Sequence, residues 1–183
     1  MALQPFIETE RLRLRPFELT DAAGVQRLAG AREIADTTLL IPHPYPDGAA
    51  ETWISTHAGA FEKGESASFA ITLRKSGELC GAIGLGIQSL HCRAELGYWM
   101  GLPYWGKGFC TEAASGVLRF GFATLKLNRI FACHFKRNPA SGRVLVKIGM
   151  RYEGASPQHV LKNGQFEDVE LFGMVASDWQ LIR

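Results

Sequence analysis

Two glycines separate a predicted strand from a predicted helix within residues 100–113. Glycine has no Cβ, so the backbone at Gly106 and Gly108 can adopt a positive φ and allow a ligand to come close. The first turn of the helix that follows carries unpaired N–H groups and the positive end of the helix dipole. These features together form a site for a pyrophosphate group. The first chemistry that the sequence predicts is therefore the binding of a ligand with a phosphate chain.

The same residues include the first part of a P-loop, since Gly101 to Lys107 reads G-x-x-x-x-G-K. A P-loop continues with Ser or Thr, whose hydroxyl holds Mg²⁺, but the next residue here is Gly108. The following predicted strand, residues 129–135, also lacks a terminal Asp for that metal. Both departures affect the same chemical function. A P-loop-like phosphate-binding protein is therefore only the third hypothesis, and we discount a nucleotide hydrolase.

Residues 105–113, WGKGFCTEA, resemble the acetyl-CoA loop of the GNAT N-acetyltransferases, in the form typical of the RimJ/RimL branch. The general GNAT signature is Q/R-x-x-G-x-G/A, and its first position here is Pro103, a departure that the branch commonly shows. Three further matches follow the same order as in the branch. They are ETERLRLR at residues 8–15, ELGYW at residues 95–99, and residues 138–154, where Met150 replaces the usual Phe. The resemblance covers nearly the whole chain.

The resemblance implies acetyl-CoA as co-substrate and requires no metal. Backbone N–H groups between Trp105 and Thr111 would hold the pyrophosphate, and Lys107 would add positive charge. Pantetheine would lie where the strand before the loop separates from the strand at residues 130–135. A backbone N–H near Met100 would polarise the thioester carbonyl. The cofactor-binding residues predicted in this way are Met100, Gly101, Leu102, Trp105, Gly106, Lys107, Gly108, Phe109, Cys110, Thr111, Asn138 and Arg143.

Ser141 is the candidate catalytic acid, because in the family a Ser or Tyr near this helix points at the CoA sulfur. It lies three residues after Asn138, which the Asn-Pro pair marks as a helix N-cap. A serine facing its own backbone is the alternative. For Lys107 and Arg143 the alternatives to phosphate contacts are a solvated loop and a solvated helix face.

Glu95 is the candidate base, acting through a water molecule. A carboxylate in a mostly apolar strand is costly to bury unless it is paired or functional, and we expect Glu95 to be buried. An ion pair with Arg93 or with an arginine of another strand is the alternative. Cys110 allows a covalent route, because a thiol at a helix N-terminus ionises more easily. The family usually has a small residue at this position, so we expect direct transfer.

The acceptor side is predicted from the chain before residue 66. Residues 41–47 contain three prolines and cannot form regular structure. This segment and the helix that follows it would flank the acceptor, with His43, Tyr45 and Trp53 as contacts. The acceptor itself is left open: it is a protein N-terminal α-amine, as in ribosomal-protein acetylation, or a small-molecule amine. The alternative from another class is a catalytically silent CoA-binding regulatory module.

The elements that position these residues follow from periodicity. Strands are predicted at residues 11–15, 68–74, 78–88, 91–100, 130–135, 151–161 and 168–175. Helices are predicted after Thr20 or Asp21, after Asp47, at residues 109–125 and after Asn138. This order is that of the GNAT fold, an α+β (α/β/α) architecture. It has a mixed, mostly antiparallel seven-stranded sheet, a splay between the fourth and fifth strands, and about four helices.

Composition restricts the class of protein. With 183 residues, of which 46% are hydrophobic, we expect one GNAT domain over residues 1–183. A net charge of +2 without a polybasic run argues against nucleic-acid binding. No stretch approaches a membrane helix, and residues 1–15 lack an apolar signal core. Four cysteines without Cys-x-x-Cys spacing predict a reduced, cytoplasmic protein, and the five histidines form no metal motif. A homodimer is common in the branch.

Overall fold

The computed structural model describes residues 4–181, so residues 1–3 of the expected signal-free N-terminus lie outside the described residues. One eight-stranded sheet runs through the described chain. All seven predicted strands are present, and a two-residue strand precedes them. The strands are β1 Ile7–Glu8, β2 Leu12–Arg15, β3 Ser66–Leu73, β4 Leu79–Gln88, β5 Arg93–Met100, β6 Arg129–Phe135, β7 Arg151–Lys162 and β8 Gln165–Val175.

The strand order is β1-β2-β3-β4-β5-β6-β8-β7, and every neighbouring pair is antiparallel except β5 and β6. This confirms the mixed, mostly antiparallel GNAT sheet. The final two strands form a hairpin in which Asn163 and Gly164 occupy the turn with φ of 50° and 79°. Asn-Gly favours this geometry because both central residues of such a turn need a positive φ.

The four predicted helices are present, and the second is divided in two at Thr56. Two short helices that the periodicity did not predict are added, one before residue 38 and one at the C-terminal end. No helix within residues 4–181 is long and apolar enough to span a membrane. The helices are α1 Ala22–Ala29, α2 Arg32–Thr37, α3 Ala49–Ser55, α4 His57–Glu62, α5 Phe109–Arg119, α6 Pro139–Lys147 and α7 Ala176–Leu181.

Helix α5 packs closely on one face of the sheet because its inner face is made of small residues. A Cβ added at Gly116 would lie 3.3 Å from Ile7, and one added at Gly121 would lie 2.6 Å from Ile130. A π-helical turn, Phe120–Thr124, continues α5, and Phe120 packs edge-on against Phe69 with ring centroids 5.6 Å apart. Helix α6 contacts α5 and shares this face.

The sheet opens between β5 and β6. These strands pair only over their first three residues, Arg93 with Arg129, Ala94 with Ile130, and Glu95 with Phe131. Residues 96–100 and 132–135 are not paired with each other, although both stretches belong to strands. The splay predicted between the fourth and fifth strands is therefore present. We call this opening the gap; it widens toward the C-terminal ends of both strands, from which the chain continues to α5 and α6.

Candidate active site

The loop from β5 to α5 contains two glycines at positions with a positive φ, a conformation that favours glycine. Gly106 has φ of 72° and Gly108 has φ of 77°, and an added Cβ at Gly106 would meet nothing within 4 Å. Gly108 is the N-cap of α5, and none of the described side chains caps this terminus. The N–H groups of the first helical turn are thus available for an anion. The loop therefore has the backbone features that a pyrophosphate site needs, and binding of that group here stays a prediction.

A charged contact from the opposite end of the sheet fixes the start of α5. The carboxylate of Glu112 accepts hydrogen bonds from the Arg11 side chain at 2.6 Å, the Arg11 backbone N–H at 2.7 Å and the Thr9 hydroxyl at 2.6 Å. Burial acts to raise the pKa of Glu112, but these hydrogen bonds outweigh it and lower the pKa. Arg11 also donates to the Lys107 carbonyl at 2.9 Å, so this contact holds the glycine loop itself.

Backbone groups line the gap on both sides. The Gly101 N–H donates to Cys80 on β4 at 2.8 Å. Because the direction of N–H and C=O alternates along a strand, Tyr98 and Met100 direct theirs away from β4, toward β6. At the end of β6, the Lys136 N–H donates to the Asp168 carbonyl of β8 at 2.9 Å. Cys133 is three positions before Lys136, so by the same alternation its N–H and C=O point the other way, toward β5. The gap therefore presents backbone N–H and C=O groups to an extended amide-containing chain.

Ser141 pairs with a tyrosine that the sequence analysis assigned no role. The Tyr98 hydroxyl lies 2.8 Å from the Ser141 hydroxyl and 3.1 Å from its carbonyl oxygen. Asn138 caps α6 by accepting from the Ser141 N–H at 3.4 Å. Burial raises the pKa of Tyr98, so its hydroxyl keeps its proton at neutral pH. The two hydroxyls form a proton-donating pair beside the gap.

Glu95 occupies the last position at which β5 and β6 pair, immediately before the gap opens. The expectation that this carboxylate is buried is wrong: Glu95 is exposed, as is Cys133 beside it on the same face. The thiol of Cys133, on β6, lies 3.6 Å from the Glu95 carboxylate. The carboxylate is therefore open to solvent and to an approaching molecule.

Glu95 and Tyr98 lie on opposite faces of the sheet. They are three positions apart on a strand whose pairing with β4 has no bulge, so their side chains point in opposite directions. Tyr98 faces α6, and Glu95 faces the other side together with Cys133. A molecule that passes through the gap can thus meet a carboxylate on one face and the hydroxyl pair on the other.

The family of this chain follows from comparison with known proteins. The family described as "Acetyltransferase (GNAT) domain" matches residues 11–151, most of the chain. The chain belongs to the GNAT family. It is accordingly an acetyl-CoA-dependent N-acetyltransferase at the level of that family, with relatives of the RimJ/RimL type.

The relatives agree with this assignment. The uncharacterized N-acetyltransferase YoaA of Bacillus subtilis (strain 168) is 33% identical over 172 residues, which cover 93% of this chain and 97% of YoaA. The [ribosomal protein uS5]-alanine N-acetyltransferase of Escherichia coli (strain K12) is 33% identical over 84 residues, 46% of this chain and 43% of that enzyme. The fold is similar to that of Mycobacterium smegmatis RimJ in complex with CoA-disulfide, with a TM-score of 0.86 and 24% identity, over 96% and 89% of the two chains.

Of the other predicted cofactor residues, two lie in the glycine loop of this GNAT chain and Arg143 lies on α6, away from Ser141. The Trp105 indole N–H donates to the Met100 carbonyl and closes the loop over the end of β5. Lys107 is exposed, 5.8 Å from the Tyr104 ring centroid. Arg143 lies about 200° round α6 from Ser141 and lines a separate groove against β8. The structure thus does not group Arg143 with the hydroxyl pair.

Cys110 lies in the first turn of α5, where a reactive thiol would need a depressed pKa. Burial instead raises the pKa of Cys110 to about 12. The thiol is therefore protonated at neutral pH, which argues against an acetyl-cysteine route. In residues 4–181 there is also no group of three or more His, Cys, Asp or Glu side chains that could hold a metal ion.

The predicted acceptor contacts lie on the chain between α2 and α4. His43 is exposed and its Nδ1 lies 3.0 Å from the Gly30 carbonyl, and Tyr45 is half-buried next to Gly30. Trp53 packs edge-on against His57, with ring centroids 4.4 Å apart, in an aromatic cluster. These contacts show how each residue is held, and their roles toward an acceptor stay predictions.

Proposed function

We propose that this GNAT chain transfers the acetyl group of acetyl-CoA directly to the α-amine of a protein N-terminus, in a ternary complex. The observation that carries the proposal is the placement of Glu95 and the Tyr98–Ser141 pair on opposite faces of one gap. Direct transfer needs a proton acceptor on the side of the amine and a proton donor on the side of the leaving thiol. The gap offers one of each.

The chain would bind the co-substrate along a continuous path. The N–H groups of the glycine loop hold the pyrophosphate, and the backbone groups of Tyr98, Met100 and Cys133 pair with the amides of the pantetheine arm. The Met100 N–H is placed to donate to the thioester carbonyl. Bound acetyl-CoA supplies an acetyl group already activated as a thioester.

The reaction then needs two proton movements. The amine nitrogen bonds to the carbonyl carbon, and Glu95 accepts the proton that this nitrogen loses, through one water molecule. As the carbon–sulfur bond breaks, Ser141 gives its proton to the sulfur and regains one from Tyr98. Tyr98 then takes a proton from water as Glu95 releases the amine proton to water, so both groups return to their starting states. The products are an N-acetylated amine and CoA with a free thiol, so no covalent acetyl-enzyme forms.

Two observations favour an α-amine as acceptor. An α-amine has a pKa of about 7.7–8.0, against about 10.4 for lysine, so a solvent-exposed carboxylate is a sufficient base for it. The uS5-alanine N-acetyltransferase of Escherichia coli, which by its name acts on a ribosomal protein, is also a relative over 46% of this chain. His43, Tyr45 and Trp53 are the proposed acceptor contacts, and a small-molecule amine is the alternative acceptor.

The proposal extends to the state of the protein. We expect one catalytic domain over residues 1–183, working in the cytoplasm, where the four free cysteines stay reduced. We also expect a homodimer. An exposed apolar pair, Leu161 and Phe166 of the β7–β8 hairpin, supplies surface for such contacts.

A thiol-release assay with acetyl-CoA tests the proposal. The acceptor panel contains peptides with free N-termini, the same peptides with blocked N-termini and an internal lysine, and small polyamines and aminoglycosides. We expect release with free N-termini only, and sequential rather than ping-pong kinetics. Release with small amines alone would contradict the acceptor class. CoA binding without release on any amine would instead indicate a silent CoA-binding module.

A further inference from the structure

A segment without regular structure lies between the end of α1 and the tip of the β7–β8 hairpin. This segment, residues 39–47, connects α2 to α3 and is named the strap here. It lies among the chain elements that the proposed function assigns to the acceptor. Leu40 in the strap has 88% of its surface exposed, whereas Ile41 and Tyr45 are partly buried against the core, so packing of its own side chains explains only part of its placement. The strap is also held by polar contacts from two other parts of the molecule.

The first contact is a buried lysine at the tip of the β7–β8 hairpin. The Lys162 ammonium donates to the Leu39 carbonyl at 3.1 Å and to the Ile41 carbonyl at 2.7 Å. Lys162 is only 7% exposed, and its burial lowers the pKa of the ammonium, with the carboxylate of Asp36 acting in the opposite direction. A lysine is seldom buried this far without a specific partner, and here the partners are two strap carbonyls 121 and 123 positions away.

The second contact lies at the other end of the strap. His43 Nδ1 lies 3.0 Å from the Gly30 carbonyl at the end of α1, and the Gln26 amide of α1 donates to Asp47 at 2.7 Å. The same helix meets the glycine loop, because a Cβ added at Gly101 would lie only 2.8 Å from Leu28. The strap is therefore fixed beside the C-terminal end of β5.

The Lys162 contact lies on the face of the sheet that carries Glu95. Lys162 pairs with Gln165 on β8, and paired residues share a face of the sheet. Gln165 and Leu171 are six positions apart on β8, so they also share a face, and Leu171 pairs with Cys133 on β6. The Cys133 thiol in turn contacts Glu95. The hairpin continues four residues past Val169, the last partner of β6, a projection of about 14 Å.

The strap therefore spans the mouth of the gap on the Glu95 face, from the end of β5 to a hairpin that projects past the end of β6. We propose that Lys162 is a positioning residue for the acceptor, acting through this strap. Its two hydrogen bonds keep the strap closed across the mouth, so that the amine approaches Glu95 beneath it. The proposal rests on the proposed function, because it assigns the Glu95 face to the acceptor.

Replacing Lys162 by Met tests this role, because Met keeps the length and apolar stem but cannot donate to the two carbonyls. We expect KM for the acceptor peptide to rise about tenfold or more, while KM for acetyl-CoA changes by less than about twofold. Lys162→Arg, which keeps the charge and the donors, is expected to restore the acceptor KM to within about threefold of the wild type. Exchange of strap amides with deuterium is expected to accelerate in Lys162→Met only.

Lys63→Met is the matched control, since Lys63 is exposed at the end of α4. If Lys162→Met melts far below the wild type, Lys162→Gln, which keeps one hydrogen-bond donor, replaces it. For Lys162→Gln we expect the acceptor KM to rise by less than the roughly tenfold expected for Lys162→Met. A folded Lys162→Met with unchanged acceptor KM and unchanged strap exchange would overturn the role of Lys162 alone. A wild type that neither binds CoA nor acetylates an amine would overturn the proposed function itself.

Discussion

Three side chains define the proposed chemistry at the residue scale: Glu95 on one face of the sheet, and Tyr98 with Ser141 on the other. Their separation follows from strand alternation alone, since Glu95 and Tyr98 belong to the same unbulged strand. The base takes a proton from the amine nitrogen, whereas the acid gives a different proton to the sulfur. Placing them on either side of the gap lets each act on its own end of the reacting bond.

Replacement of Glu95 by Gln removes the proton acceptor and keeps the shape of the side chain. We expect kcat to fall by about 10²–10⁴-fold, the range of general-base contributions, with CoA affinity unchanged. Steady-state kinetics and calorimetric CoA titration measure the two effects. Glu62→Gln, at an exposed position of α4, is the control. Wild-type kcat in Glu95→Gln would rule out this carboxylate as the base.

The hydroxyl pair is tested by Tyr98→Phe, Ser141→Ala and the double variant. Each single change breaks the 2.8 Å contact, and we expect each to lower the free energy of unfolding by about 1 kcal/mol. Because the two hydroxyls serve one proton route, we expect the double variant to be little slower than the slower single variant. Losses in ln kcat that add fully would show that the hydroxyls act independently.

At the element scale, two sequence motifs that are about 100 positions apart form one structure. Thr9 and Arg11, in the turn between β1 and β2, bind Glu112 in the first turn of α5. This contact is close to the glycine loop, because Arg11 also binds the Lys107 carbonyl. The conformation of the phosphate loop thus depends on the first strands of the sheet as well as on its own glycines.

Alanine variants of two glycines with the same backbone conformation distinguish an effect on CoA binding from an effect on stability. Gly48 and Gly108 are both helix N-caps, with φ of 76° and 77°. Alanine is strained at either position, and we expect each variant to lose about 1–2 kcal/mol of unfolding free energy in urea titrations. Only Gly108→Ala is expected to weaken CoA binding, by about tenfold or more. Equal CoA affinities in the two variants would place the pyrophosphate away from this loop.

Glu112→Gln tests the contact that fixes the start of α5. Since the folded-state pKa of Glu112 is lowered, its stabilisation is present above the unfolded pKa of about 4.3 and is lost as pH falls through the lower folded value. We expect the variant to be less stable by about 1 kcal/mol at pH 7, allowing for the half-exposed Arg11 partner. In urea titrations, the difference in unfolding free energy between the variant and the wild type should shrink toward pH 3. A difference that stays constant with pH would contradict a stabilising role for the ionised Glu112 carboxylate.

At the scale of the whole molecule, periodicity and turn residues predicted most of the fold. The strands were found because their alternation extends over several residues, and the gap because the family's fold has one. Helix α2 was not predicted, since its six residues are too few to show a clear period. The break at Thr56 was missed because α3 and α4 share one continuous apolar pattern.

The site was only partly predictable, for a physical reason. The glycine loop is local in sequence, and its residue types alone indicate an anion site. The contacts of Ser141 with Tyr98, of Arg11 with Glu112 and of Lys162 with the strap join positions 43, 101 and more than 120 residues apart. Alternation also gave the face on which Glu95 lies, but not that the side chain is exposed there.

The central claim is that the glycine loop and the gap hold acetyl-CoA. A crystal structure of the protein soaked with CoA tests it most directly. We predict the pyrophosphate within hydrogen-bonding distance of the N–H groups of residues 106–111, and the pantetheine arm between β5 and β6, with its sulfur near Ser141. CoA bound at any other surface, with the gap empty, would contradict the account.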